Sequence, residues 1–225
     1  MNYAFTNGKI LNGTKDMQIQ EGLCILVQEG KITDIVPDTT NLHDYTVIDL
    51  HGHYILPGLI NMHVHLAGNG KPQKKQRDNE KLVNTIMGSS LIRAVAYNMV
   101  AGFARDELLS GVTTIRTVGG LGDFDTRLRD EIKAGKKVGP RILAANQGIS
   151  VPGGHMAGSV AIAAATTADA LKHLEKSEKE NVDLIKLMIT GGVLDAKEKG
   201  VPGELKMAPE MVRAVCDKAH ADGYI

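Results

Sequence analysis

Apolar and polar positions in the first fifty-six residues change over in short runs. Tyr3-Ala-Phe-Thr, Lys9-Ile-Leu, Leu23-Cys-Ile-Leu-Val-Gln, Lys31-Ile-Thr-Asp-Ile-Val and Thr46-Val-Ile-Asp-Leu are β-branched or apolar stretches of strand length. The turn dipeptides Asn7-Gly8, Asn12-Gly13 and Glu29-Gly30 separate them. Residues 23–27 and 31–36, flanking Glu29-Gly30, predict a hairpin. From Pro57 the pattern becomes an alternation of strand and helix, the signature of a parallel sheet with crossover helices. Strands are predicted at 59–65, 112–118, 141–145 and 182–189, adjacent and parallel in that order. Between the first two, a polar loop over 71–80 leads into a long helical stretch that ends near Leu109 at Gly111. Leu91, Val95, Met99 and Phe103 recur at helical spacing in it, which predicts a core-facing stripe.

The next helix has Asp123 as its cap, Phe124, Leu128 and Ile132 on one face, and Gly135 as its stop. A long Gly/Ala-rich loop, 146–165, follows the third strand. Thr166-Thr-Ala-Asp169 reads as a capping box opening a helix to about Glu180. After the fourth strand another glycine-rich loop precedes Pro209, suited to a helix's first turn. Val212, Val215, Cys216 and Ala219 form that helix's buried stripe, Gly223 closes it, and Tyr224-Ile225 has the look of a fifth strand beginning. The organisation expected is residues 1–56 as a β segment and 57–225 as a (β/α) unit.

The chemistry centres on Leu56-Pro-Gly-Leu-Ile-Asn-Met-His-Val-His65. Side chains on a strand alternate faces, so His63 and His65 point the same way, roughly 6–7 Å apart along the strand. Two imidazoles on one face at a strand's end can grip one divalent ion, zinc above all. Lys186 is the second notable residue. Alternation in Asp183-Leu-Ile-Lys-Leu-Met-Ile-Thr190 puts Leu184, Lys186 and Met188 on one face of a strand covered on both sides, and lysine is almost never buried without a partner. It either reaches solvent or a carboxylate, or loses its proton on burial and adds carbon dioxide, giving a two-oxygen anion able to bridge two cations.

The run Asp49-Leu-His-Gly-His-Tyr-Ile-Leu-Pro-Gly-Leu-Ile-Asn-Met-His-Val-His65 resembles the start of the barrel in the amidohydrolase superfamily. Gly111-Val-Thr-Thr-Ile-Arg116, Gly139-Pro-Arg141, Gly153-Gly-His155 and Ile185-Lys186 with Thr190-Gly-Gly192 follow in the order of its prolidase-like branch, the Xaa-Pro dipeptidases and their imidazolonepropionase-related neighbours. The resemblance implies a (β/α)8 TIM barrel of which strands one to four are present, preceded by a small β-sandwich segment. It implies His63 and His65 on the more buried of one or two zinc ions, a carboxylated Lys186 bridging two, and His155 on the substrate. It also implies a general acid/base aspartate beyond Ile225, in the part of such enzymes that this chain does not reach. Thr117 stands where family members often carry aspartate. Catalytic groups of such barrels sit at the C-terminal ends of the strands, which is where His63, His65, His155 and Lys186 fall.

The function expected is a metal-dependent amidohydrolase acting on an amide or peptide C–N bond, not an ester, of a dipeptide or N-acyl amino acid through a metal-bridged hydroxide. The alternative within the class is a mononuclear deaminase or imidazolonepropionase-like hydrolase of a cyclic amide. The alternative outside it is a non-catalytic half-barrel that assembles with another chain. Formal net charge is zero, which argues against nucleic acid or membrane as the main partner. The expected partners are a small-molecule substrate and either further copies of the chain or the remaining half of the barrel. No basic start and apolar core of a signal peptide opens the chain, so the cytoplasm is expected. Cys24 and Cys216 sit in apolar patterns and read as buried free thiols. His43, His51, His53 and His173 read as structural or surface, and His220 as an exposed helix-end residue.

Overall fold

The computed structural model describes residues 1–68, 70, 78–192 and 203–224. The expectations for the basic cluster at 71–77, for the loop 193–202 and for a fifth strand through Ile225 lie outside those residues. The chain divides into two compact units, Met1–Gly58 and Leu59–Ile225.

The first unit is built from β1 (Asn2–Thr6), β2 (Lys9–Ile10), β3 (Leu23–Gln28), β4 (Lys31–Pro37), β5 (Thr46–Asp49) and β6 (Tyr54–Ile55). Four of them form a sheet in the order β4-β3-β1-β5, and β2 pairs with β6. The predicted hairpin is present: β3 and β4 are antiparallel and Gln28 faces Lys31. Glu29 and Gly30 both take positive φ, 50° and 76°, as a two-residue turn matching the strands' twist demands. Ala4, Cys24, Ile25 and Leu26 are buried, whereas Ile32, Ile35 and Val47 are exposed.

The second unit carries the chemistry. Its elements are β7 (Leu59–Val64), α1 (Asn79–Met87), α2 (Ser90–Leu109), β8 (Val112–Thr117), α3 (Phe124–Lys133), β9 (Arg141–Ala144), β10 (Gly148–Ser150), β11 (Ala161–Ala163), α4 (Thr167–Lys179) and α5 (Pro209–Ala221). Three of the four expected parallel strands form a sheet, β7-β8-β9. Val64, Ile115, Ile142 and Ala144 share one core with Tyr97, Val100 and Ala104 of α2 and Phe124 and Leu128 of α3. A second core joins Ile149 to α4 and α5 through Leu174, Met211 and Val215.

The fourth strand departs from expectation. Residues 182–189 form no regular strand. Asp183 caps the edge of β9 with its side chain, taking the Ala144 amide at 2.8 Å, while its own amide donates to the Ala144 carbonyl at 2.7 Å. Beyond it the segment moves to β10: the Ile149 amide donates to the Lys186 carbonyl and the Met188 amide to the Ile149 carbonyl, a single parallel bridge. The described residues therefore form an open sheet and not a closed barrel.

The long helix also differs. Gly88 closes α1, and Ser89 caps α2 by accepting from the Ile92 amide. Residues 78–80, expected in the loop, belong to α1 and its cap, Asp78 accepting from the Lys81 amide. The buried stripe of α2 is Tyr97, Val100 and Ala104; of the expected stripe only Phe103 packs against the core, half-buried, while Leu91 is 74% exposed and Val95 and Met99 lie open. Apolar residues occur on both faces of this helix, so spacing alone does not say which one meets the sheet.

Elsewhere the local signals hold. Thr166 and Asp169 form a reciprocal capping box, Pro209 opens α5, and α3 ends ahead of Gly135 at φ 69°. Asp123 sits at the α3 cap position without a side-chain bond to the helix; its carboxylate pairs with Arg93. In α5 the fully buried residues are Met211, Val215 and Ala219, with Val212 and Cys216 half-buried. Both cysteines are free thiols, Cys24 buried and Cys216 only partly so. No helix among the described residues is long and apolar enough to cross a membrane.

Candidate metal centre

His63 lies near the end of β7 and His65 just past it. The β7–β8 register runs from Asn61↔Ile115 to Val64↔Thr117, so three steps on β7 meet two on β8. This bulge at Met62-His63 is the kind of irregularity that re-aims a side chain. The groups it frees from the ladder are taken up locally. The Asn61 side-chain oxygen accepts from the His63 amide at 3.2 Å, and Arg116 Nε donates to the Met62 carbonyl at 2.8 Å. Arg116, noted in the sequence only as a residue of the second strand, thus ties β8 to the bulge that carries His63.

The two imidazoles converge. His63 Nε2 and His65 Nε2 are 3.3 Å apart, with the rings edge-on at 63°. Two nitrogens each roughly 2.0–2.1 Å from one tetrahedral ion would be about 3.3 Å apart. The observed separation therefore fits a pair of ligands to one zinc-like ion. His65 Nδ1 lies 3.0 Å from the Gly119 carbonyl. A carbonyl can only accept, so Nδ1 carries the proton and Nε2 presents its lone pair, the arrangement that orients a metal-binding histidine. With Nε2 of His65 unprotonated, the bond between the two rings has His63 Nε2–H as its donor.

Gly119 and Gly120 were not singled out in the sequence; the signal was their place directly after a strand. Gly119 takes φ 142°, and a Cβ there would meet the His65 ring at 3.1 Å and Met188 Cε at 3.0 Å. Only glycine allows both the turn and the approach of the ring.

Lys186 lies in the extended segment bridged to Ile149. It is partly buried, and its Cγ would lie 3.3 Å from a Cβ at Gly148, so the glycine leaves room for the side chain. The alternation read from sequence holds in part: Met188 joins the first core, and Ile185 and Leu187 pack against the second. Burial and then the Arg116 guanidinium hold the Lys186 ammonium below its usual range. His63 is shifted down by burial, then by Lys186, Arg116 and His155. His65 is shifted down chiefly by burial, with His63, Lys186 and His155 adding to it and the Gly119 bond opposing. Lys186 and His155 both stand among the charges that lower the two imidazoles, so the structure brings His63, His65, Lys186 and His155 to one neighbourhood. His155 sits in the loop after β10, its amide donating to the Thr190 carbonyl at 3.1 Å. Among the described residues no third His, Cys, Asp or Glu joins His63 and His65 in a ligand cluster. Of the second unit's remaining histidines, His220 is exposed on α5, and His173 is buried with Nε2 on the Gln147 carbonyl.

Residues 54–224 match the amidohydrolase family, and the chain belongs to that family. Among solved structures, it is similar to a candidate prolidase from Bifidobacterium longum, at 33% identity and TM-score 0.75, covering 100% of this chain and 48% of that one. It is also similar to an Xaa-Pro dipeptidase with bound methionine in the active site, at 28% identity and TM-score 0.76, covering 100% of this chain and 55% of that one. Among curated proteins, a dihydroorotase of Bacillus thuringiensis (strain Al Hakam) is 34% identical over 95 residues, 42% of this chain and 21% of the relative. The chain spans about half the length of the solved structures and about a fifth of the curated relatives it matches.

Proposed function

We propose that this chain supplies His63, His65 and Lys186 to the divalent-metal centre of an amidohydrolase that cleaves an amide or peptide C–N bond in a dipeptide or N-acyl amino acid. The observation that carries this reading is the 3.3 Å approach of the two Nε2 atoms, with Nδ1 of His65 already committed to Gly119. The family generally binds divalent metals, and the solved relatives described as prolidase and Xaa-Pro dipeptidase support the substrate class. A metal ion held there supplies a Lewis acid that polarises a carbonyl and lowers the pKa of water.

The chain's own residues do the rest of what is proposed. The Asn61 and Arg116 bonds hold the bulge, and the bulge holds His63 against His65. Lys186, its ammonium disfavoured by burial and by Arg116, is the residue suited to become a carbamate and join the ligand set. His155 lies on a loop whose glycines let backbone approach a ligand, and in this reading it contacts the substrate. Arg116 leaves a fixed cation beside the site, which suits a substrate carrying a carboxylate.

A second reading, dihydroorotase-type hydrolysis, is favoured by the sequence match over 95 residues. Assay of the zinc-loaded protein in bicarbonate buffer against Xaa-Pro dipeptides, N-acyl amino acids and dihydroorotate separates the two. Amide cleavage of the dipeptides that disappears in His63→Ala supports the first. Turnover of dihydroorotate alone moves the assignment to the second. Turnover that persists in His63→Ala contradicts both.

A further inference from the structure

Asp125 is a buried acid that the proposed chemistry does not use. It lies in the first turn of α3 and is 1% exposed. Its Oδ2 is buried with no hydrogen-bond partner. Such atoms are rare and call for a reason, because an unpaired carboxyl oxygen is costly to bury even where, as here, the Thr117 hydroxyl bonds the same carboxyl. Helix capping is not the reason, since the cap position belongs to Asp123, whose carboxylate turns to Arg93.

The reason lies across from it. A Cβ built on Gly120 would meet all three atoms of the Asp125 carboxyl: Oδ2 at 2.4 Å, Cγ at 2.8 Å and Oδ1 at 2.9 Å. The carboxyl occupies the space where residue 120 would have a side chain. Gly120 is glycine for that space and not for its backbone, which lies outside the left-handed region. The turn is pinned from elsewhere by the Gly120 amide, which donates to the Asn146 carbonyl at 2.8 Å. One residue earlier, the Gly119 carbonyl accepts from His65 Nδ1. Gly119 is itself packed between the His65 ring and Met188. A turn with glycine at both positions has no side chains of its own to define it, so its neighbours must.

We propose that Asp125 is a positioning residue for His65: its carboxyl stands in for the absent side chain of Gly120 and holds the Gly119-Gly120 turn so that the Gly119 carbonyl fixes the His65 ring and its tautomer. Asp125 touches no reacting atom in this account. The effect on metal binding rests on the proposal that His65 is a ligand; the effect on the ring does not.

The test is imidazole 15N NMR of the metal-free protein, with zinc titration alongside. The native protein shows His65 as a single Nδ1–H tautomer. Asp125→Ala, which empties the space, converts His65 to a mixture of tautomers, while buried His173 on the Gln147 carbonyl keeps its signals. Asp125→Asn, of the same shape, leaves His65 as in the native protein. Adding Gly120→Ala to Asp125→Ala puts a methyl into the vacated space and restores the single tautomer. Zinc affinity falls about tenfold in Asp125→Ala and recovers in the double variant. A single Nδ1–H tautomer in Asp125→Ala overturns the proposal. Should that variant not fold, the double variant decides: failure to show the native His65 tautomer overturns it as well. Altered His65 signals with unchanged zinc affinity would uphold the role of Asp125 and remove His65 from the ligand set.

Discussion

His65 Nδ1 donates to the Gly119 carbonyl across 3.0 Å, and this bond joins the end of one parallel strand to the turn after the next. It leaves Nε2 of His65 facing Nε2 of His63, so in the proposed centre the nitrogen offered to an ion is selected before the ion arrives.

The first prediction follows from that bond. Gly119→Ala places a methyl 3.0–3.1 Å from Met188 Cε and the His65 ring, at a backbone φ of 142° that an alanine rarely adopts. The turn must move, and the bond to His65 with it. Zinc affinity measured by competition with a chelator should fall by about 10–100-fold, the usual cost of losing an outer-shell partner. An unchanged affinity would mean that Gly119 does not orient the ligand.

The second concerns Lys186. Burial and Arg116 both disfavour its ammonium form, which leaves more free amine to add carbon dioxide. With zinc and 13C-bicarbonate, the active enzyme should show a carbamate carbon resonance that is absent in Lys186→Ala. The variant should also lose hydrolysis and the second metal equivalent, and short carboxylic acids should partly restore both. Full metal content and full activity in Lys186→Ala would remove the bridging role and favour a mononuclear site.

Much of this was legible in the chain beforehand, for physical reasons that differ by element. Caps and turns are written locally, so the Thr166/Asp169 box, Pro209, and the Glu29-Gly30 hairpin could be read from a few residues. That His63 and His65 share a face followed from strand alternation, whereas the meeting of their nitrogens depends on the bulge. Three things were not legible. The face that α2 buries depends on which side meets the sheet, and Leu91, Val95 and Met99 made a stripe as regular as the one that is buried. The fourth strand was displaced by a side chain, since Asp183 takes a ladder position on β9 that the sequence pattern assigns to backbone. The bulge in β7 and the Gly119 carbonyl are long-range features, set by partners 54 residues away in sequence.

The third prediction is a pH dependence of stability. Burial pushes the Asp125 carboxyl from 3.8 up to about 6, opposed in part by the Thr117 hydroxyl. A raised carboxyl pKa means that the folded state prefers the protonated form. The associated stability is present in full below the ordinary value and is lost as pH rises through about 6, a span of about 3 kcal/mol. Asp125→Asn lacks this titration. The unfolding free energy of the variant minus that of the native protein should therefore rise by about 3 kcal/mol between about pH 4 and about pH 7. Denaturant unfolding at several pH values measures it, and a difference that stays constant would show that Asp125 ionises in the folded protein as it does in the unfolded one.

The most direct test of the proposed site is a zinc-soaked crystal with anomalous data collected on either side of the zinc edge. One anomalous peak should lie between His63 and His65, about 2.0–2.2 Å from each Nε2, and it should vanish in His63→Ala. Zinc bound elsewhere, or a soaked crystal in which the two imidazoles bond to each other with no ion between them, would contradict the proposed metal centre.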